Sequence, residues 1–198
     1  YSQTLATIGV SSGKYYYECK FDAETSSGGI VVGIDTRGAS SCTVFNGSYC
    51  DEYTGKRTYG YGYYNDNGEV YNNGSLVASY TSFSTGTIIC VAVDLDNNKL
   101  YYRRNGGAWE NSGDPTSGST GTGAISITAA SSTDTGIYFP AVSDANITSA
   151  STFSTNFGNG YFGSTAVSSS GTNASGNGIF EYDVPAGYTA WCTKGLNL

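Results

Sequence analysis

The chain is 198 residues long, enough for one domain that buries roughly 70% of its unfolded surface and holds a core without staples. Its net charge of −7, from 9 Lys and Arg against 16 Asp and Glu, leaves no basic cluster to neutralise phosphates and argues against a nucleic-acid groove. There is no histidine, which removes Ser-His-Asp and Cys-His nucleophiles and every His-ligated metal site.

With 28 Gly, 18 Tyr and little helical periodicity, the composition predicts an all-β chain with many loops. Residues 5–10 and 14–24 read as an antiparallel pair joined at Ser11-Ser12-Gly13. In the second strand Tyr15, Tyr17, Cys19 and Phe21 alternate with Glu18, Lys20, Asp22 and Glu24, which predicts one dry and one wet face. A strand over 30–35 follows, then a long polar segment, 36–57. Loops above about a dozen residues are uncommon in compact domains unless they carry function. This one holds Arg37, Phe45, Tyr49, Tyr53 and Arg57, residue types that dominate binding hot spots, although the same aromatics would also serve to hold the loop down.

Strands over 58–64, 69–71 and 75–80 are separated by Asn65-Asp66-Asn67-Gly68 and Asn72-Asn73-Gly74 turns. The stretch 86–107 is the strongest local signal. Apolar runs 88–95 and 100–104 flank Asp96-Asn97-Asn98, and the second ends at Asn105-Gly106-Gly107, the pattern of a hairpin. Residues 111–136 are Ser/Thr/Gly-rich with a short strand at 125–128. Residues 137–143 and 150–157 read as a further strand pair, and 164–178 as a mobile, low-complexity surface loop. Tyr15, Tyr17, Tyr61, Tyr63, Tyr101 or Tyr102, Tyr138 and Tyr161 are expected in the core.

Five cysteines, Cys19, Cys42, Cys50, Cys90 and Cys192, make an odd set without C-x-x-C spacing, which argues against a disulfide framework and a zinc site. Free thiols from a reducing cytoplasm are expected, with a Cys42–Cys50 pair as the alternative. The chain opens at Tyr1 and not Met, so the lack of a leader says little about secretion. Sequons at Asn46, Asn73, Asn146 and Asn173 are no more than chance supplies. No run is long enough to span a bilayer.

Two catalytic or metal readings compete with plain structure. Asp22 and Glu24 share a strand face with Cα atoms about 6.6 Å apart, near the carboxylate spacing of an inverting glycosidase, but Lys20 beside them favours a solvated face. Asp94-Leu95-Asp96-Asn97-Asn98 suggests a calcium loop but lacks the later Gly and Glu, and its place between two strands favours a hairpin.

Several segments, in order, resemble the SPRY domain family. They are Gly13-Lys14-Tyr15-Tyr16-Tyr17-Glu18, Val31-Val32-Gly33-Ile34, Tyr59-Gly60-Tyr61-Gly62-Tyr63, Val91-Ala92-Val93-Asp94-Leu95 and Leu100-Tyr101-Tyr102-Arg103-Arg104-Asn105-Gly106. Tyr138-Phe139-Pro140-Ala141-Val142 and Thr155-Asn156-Phe157-Gly158 continue the series. The ending, 182–196, resembles that of SPRY domains carried on bacteriophage structural proteins, with Trp191 and Gly195 where Leu and Asn are usual.

The resemblance implies an all-β, concanavalin-like/SPRY β-sandwich of two antiparallel sheets, spanning 1–198 as one domain, with an edge strand expected upstream of Tyr1. It implies a binding module and not an enzyme, needing no metal or cofactor. The ligand surface would be built from inter-strand loops: Arg37, Phe45, Tyr49, Tyr53 and Arg57 in one, Asp144 and Asn146 in its neighbour. Implied partners are other virion proteins and a host-surface glycan or protein, within a homo-oligomer or larger virion assembly folded in the host cytoplasm. A purely structural decoration of the particle is the alternative.

Overall fold

The computed structural model describes residues 2–25, 29–36, 53–146 and 150–197. In chain order the strands are β1 (Ser2–Leu5), β2 (Lys14–Glu24), β3 (Ile30–Thr36), β4 (Tyr61–Tyr64), β5 (Glu69–Asn72), β6 (Ser75–Ser79), β7 (Ile88–Asp94), β8 (Lys99–Arg104), β9 (Ile125–Ser126), β10 (Tyr138–Asp144), β11 (Ser151–Asn156), β12 (Tyr161–Phe162), β13 (Thr165–Ala166) and β14 (Thr189–Ala190). Among the described residues helical structure is limited to short 3-10 turns, in keeping with the β-branched, aromatic and glycine-rich composition.

The chain divides into two compact units, 1–11 with 23–85 and 128–152, and 12–22 with 86–127 and 153–198. The first holds a sheet of order β1-β10-β3-β4-β5-β6. β3 and β10 are paired along their whole length, from Tyr138 opposite Thr36 to Asp144 opposite Ile30. Both are central strands, and β3 is buried at every position, its apolar stretch 30–34 ending in buried Asp35 and Thr36. Tyr61, Tyr63, Val70, Phe83 and Tyr138 complete the core of this unit. Between β5 and β6 the register slips, with Tyr71 opposite Leu76 and Val70 opposite Ala78. The extra residue, Val77, is a bulge on the edge strand, and Leu76 and Val77 are both exposed.

The second unit holds a sheet of order β11-β2-β7-β8-β9, with β14 alongside β2. The β7–β8 hairpin forms as its sequence predicts, from Ile89 opposite Arg104 to Asp94 opposite Lys99. Asn98, Asn105 and Gly106 take positive φ at its two turns, where Asn and Gly lose least.

Four sequence expectations are corrected. Residues 5–10 do not pair with β2; β1 pairs with β10, and Val10 exchanges backbone hydrogen bonds with Tyr138. Likewise 138–144 and 151–156 are not partners: β10 lies between β1 and β3, while β11 is beside β2. Glu18 is not on a wet face. It is fully buried, because Phe180, Val184, Tyr188 and Ala190 cover Tyr16, Cys90, Ala92 and Tyr101 on that side of the sheet. Tyr161 is exposed, on the short β12–β13 hairpin.

The segment 164–178 carries hydrogen bonds along its length. Ser168 N donates to Glu181, Gly171 N to Phe180 O at 2.9 Å, and Thr172 N to Asp183 Oδ1 at 2.6 Å. Low-complexity composition removed the sequence signal but not the main-chain donors, which find fixed acceptors in 180–183.

Candidate binding surface

The described part of the long loop, 53–60, is laid along the sheet of the first unit by a buried polar network. Gln3 Nε2 donates to Asp35 Oδ2 at 2.6 Å and to Thr54 Oγ1 at 3.1 Å. Thr54 N donates to Ser143 Oγ at 2.9 Å, and the two hydroxyls lie 2.6 Å apart. Asp35 and Thr54 are fully buried, so these bonds replace the water that both would otherwise need. Gly62 lets the loop lie this close, since a Cβ there would stand 2.2 Å from Thr54 O. The loop then turns, with Asn73 N donating to Arg57 O at 3.0 Å and Gly74 N to Gly55 O at 2.9 Å.

This course sets Tyr53 against two strand tyrosines. Its ring meets Tyr64 edge-on with centroids 5.5 Å apart, and Tyr64 meets Tyr71 at 5.2 Å and 66°. Both are T-shaped arrangements in which the positive edge of one ring faces the negative face of the next. Lys56 Nζ stands 5.8 Å from the Tyr53 centroid. The Tyr71 hydroxyl donates to the Glu69 carboxylate, which raises its pKa. Tyr53, Tyr64 and Tyr71 are half-buried, Leu76 opposite Tyr71 is exposed, and the Tyr64 hydroxyl is shielded with no hydrogen-bond partner among the described residues. The result is an aromatic row with polar tips, Tyr53–Tyr64–Tyr71–Leu76, on one sheet face.

Of the residues expected from sequence, Tyr53 joins this row and Arg57 anchors its turn through its backbone carbonyl. Arg37, Phe45 and Tyr49 lie outside the described residues, as do Cys42 and Cys50. Asp144 is buried, and its carboxylate accepts from Asn146 N at 2.8 Å and Ser151 Oγ at 2.5 Å. It holds its own turn in shape. Asn146 is half-buried in that turn, beside Gly29. Asp144 pairs with Ile30 and Tyr64 with Val31, so the two groups reach the same end of β3. Sequence reading missed Tyr64, Tyr71 and Lys56, although an aromatic at every second or third position around an Asn-Gly turn was a usable signal.

The competing readings fare differently. Asp22 is 3.7 Å from Lys20 Nζ. Asp94 is paired with Lys14 at 2.9 Å and caps the turn by accepting from Asn97 N at 3.0 Å, which is hairpin chemistry. Among the described residues no cluster of three Cys, Asp or Glu side chains could hold a metal, and no helix is long and apolar enough to cross a membrane.

Two main antiparallel sheets with a long hairpin, no helices beyond 3-10 turns among the described residues and an Asn156-centred turn define the concanavalin-like all-β class. The SPRY domain model matches residues 14–160, more than half of the chain. The chain belongs to the SPRY domain family. Among solved structures it is similar to the SPRY domain of human HERC1, with 18% identity over 77% of this chain and 80% of that one and a TM-score of 0.56. No curated protein matches it.

Proposed function

We propose that the chain is a non-enzymatic binding module that recognises a protein partner through the Tyr53–Tyr64–Tyr71 face and the loop leading into it. SPRY domains are protein-interaction modules, and protein partners are the expectation for a member of the family. The observation that carries the reading is the tyrosine row itself. Half-buried aromatics with polar tips, ending at an exposed leucine, offer large contact area at low entropic cost.

The phage-like ending at 182–196 supports a virion as the setting, with a host-surface protein or glycan, or another virion protein, as the partner. The exposed Leu76 and Val77 on an uncharged edge strand favour a second reading, a decoration that packs against neighbouring virion chains.

Binding of the isolated chain to host cells and to a glycan array, with Tyr53→Ala and Tyr71→Ala alongside, tests the proposal. Binding that falls at least about tenfold in the variants while their melting temperatures hold supports it. Equal binding by all three chains, or no binding by any, overturns recognition through this face.

A further inference from the structure

The second unit carries a cleft of about 400 Å³ between the start of β2, the β7–β8 turn and the chain leading into β14. Gly13, Lys14, Tyr15, Asp96, Ser175 and Tyr188 line it. The volume falls in the range of small-molecule sites, roughly 300–1,000 Å³. Nothing in the proposed protein recognition uses it.

Its polar groups divide into those already committed and those left over. Lys14 is committed: its Nζ is 2.9 Å from the buried Asp94 carboxylate and 5.9 Å from the Tyr188 centroid. Ser175 Oγ donates to Asn173 Oδ1 at 2.8 Å, and Thr189 Oγ1 accepts from Asn177 Nδ2 at 3.2 Å. Two groups remain. Asp96 Oδ1 accepts from Gly13 N at 2.7 Å, which fixes the carboxylate, while its second oxygen has no partner among the described residues. The Tyr15 hydroxyl likewise makes no hydrogen bond there. It stands over Gly13, where a Cβ would come within 3.1 Å of it. Burial first, and then the Asp96 charge, raise the pKa of that hydroxyl, so it stays protonated and able to donate.

These leftovers select a chemistry. An anion would meet an unpaired carboxylate and a lysine already neutralised, so it is rejected. A wholly apolar ligand would strand the carboxylate without water. A ring with an apolar C–H face and adjacent hydroxyls satisfies everything: the hydroxyls donate to Asp96, the Tyr15 hydroxyl donates to a ring oxygen, and the C–H face covers the tyrosine edges. We propose that the Gly13–Asp96–Tyr188 cleft is a binding site for a neutral saccharide unit, separate from the tyrosine row.

The test is an amide-shift titration of the whole chain with D-glucose, D-galactose, N-acetylglucosamine and maltose, with choline chloride as a cationic control. An open cleft of this size predicts a dissociation constant of about 1 mM for the best sugar, with shifts centred on 13–15, 96, 174–175 and 187–189. Asp96→Asn keeps an oxygen for the Gly13 amide and removes the charge, and Tyr15→Phe removes only the hydroxyl. Each weakens sugar binding about tenfold, while Tyr53→Ala leaves it unchanged. No sugar-dependent shift at the cleft, shifts equal in wild type and both cleft variants, or shifts with choline alone would overturn the assignment. Loss of sugar binding in Tyr53→Ala would move the site to the other face and overturn it too.

Discussion

Asn156 donates its side-chain amide to the Glu18 carboxylate at 3.3 Å, joining two residues 138 positions apart in the chain. The same amide donates to Ile179 O at 3.0 Å, and its oxygen accepts from Gly158 N at 2.8 Å and Gly160 N at 3.2 Å. Glu18 also accepts from Tyr16 Oη at 3.0 Å, Glu181 N at 3.0 Å and Tyr182 N at 2.9 Å. A fully buried carboxylate is thus tolerated because every lone-pair direction is used.

Burial raises the Glu18 pKa from 4.5, and the four hydrogen bonds only partly oppose it. Folded Glu18 therefore binds its proton more tightly than unfolded Glu18. Its contribution to stability is fully present below 4.5 and is lost as pH rises through the raised value. Glu18→Gln cannot accept at both oxygens and leaves a backbone N–H orphaned, which costs about 1–3 kcal/mol. Denaturant melts of both chains from neutral pH down to 4.5 are expected to show the gap widening as pH falls. A gap that narrows would contradict the sign.

Gly62→Ala places a methyl group 2.2 Å from Thr54 O and 2.5 Å from Val31 Cγ1. One neighbour is backbone held by Ser143, so the loop must lift. A loss of about 3 kcal/mol or more is expected, and a melting temperature lower by roughly 6–12 °C checks it.

Ser143→Ala leaves the buried Thr54 N–H without its acceptor at 2.9 Å. The cost is about 1–3 kcal/mol. Hydrogen exchange is expected to speed at 53–60 more than at 88–94, because the bond lost anchors only the loop.

Among the described cysteines, Cys19 and Cys90 are fully buried and Cys192 is half-buried. Burial, with Glu18 nearby, pushes the Cys90 thiol up to about 11, and burial pushes Cys19 up as well. Maleimide labelling of the native chain at mildly alkaline pH, mapped by mass spectrometry, is expected to modify Cys192 and to spare Cys19 and Cys90 until the chain is unfolded.

What the sequence disclosed follows the range over which each force acts. The 88–104 hairpin was legible because alternation and Asn turns are local, and the observed pairing follows them. Glu18 was not, because its cover comes from residues 163 and 164 positions away, and alternation alone marks any strand carboxylate as wet. The first strand was misassigned for the same reason: β1 pairs with β10, far downstream. In the candidate surface, Tyr53 stood out because it lies in a long loop. Tyr64 and Tyr71 sit in strands, where an aromatic looks like packing until the loop is seen to run beside it.

The parallel pairing of β14 with the start of β2, Thr189 to Tyr15 and Ala190 to Tyr16, has a bearing on biosynthesis. The strand that needs cover leaves the ribosome well before its cover, because Thr189 lies 174 positions after its partner Tyr15. Until translation passes Trp191, Tyr16 and Glu18 have no lid, and a nascent chain must keep that face from other partners. Synthesis of that distant segment, and not growth of the sheet, sets when this unit closes.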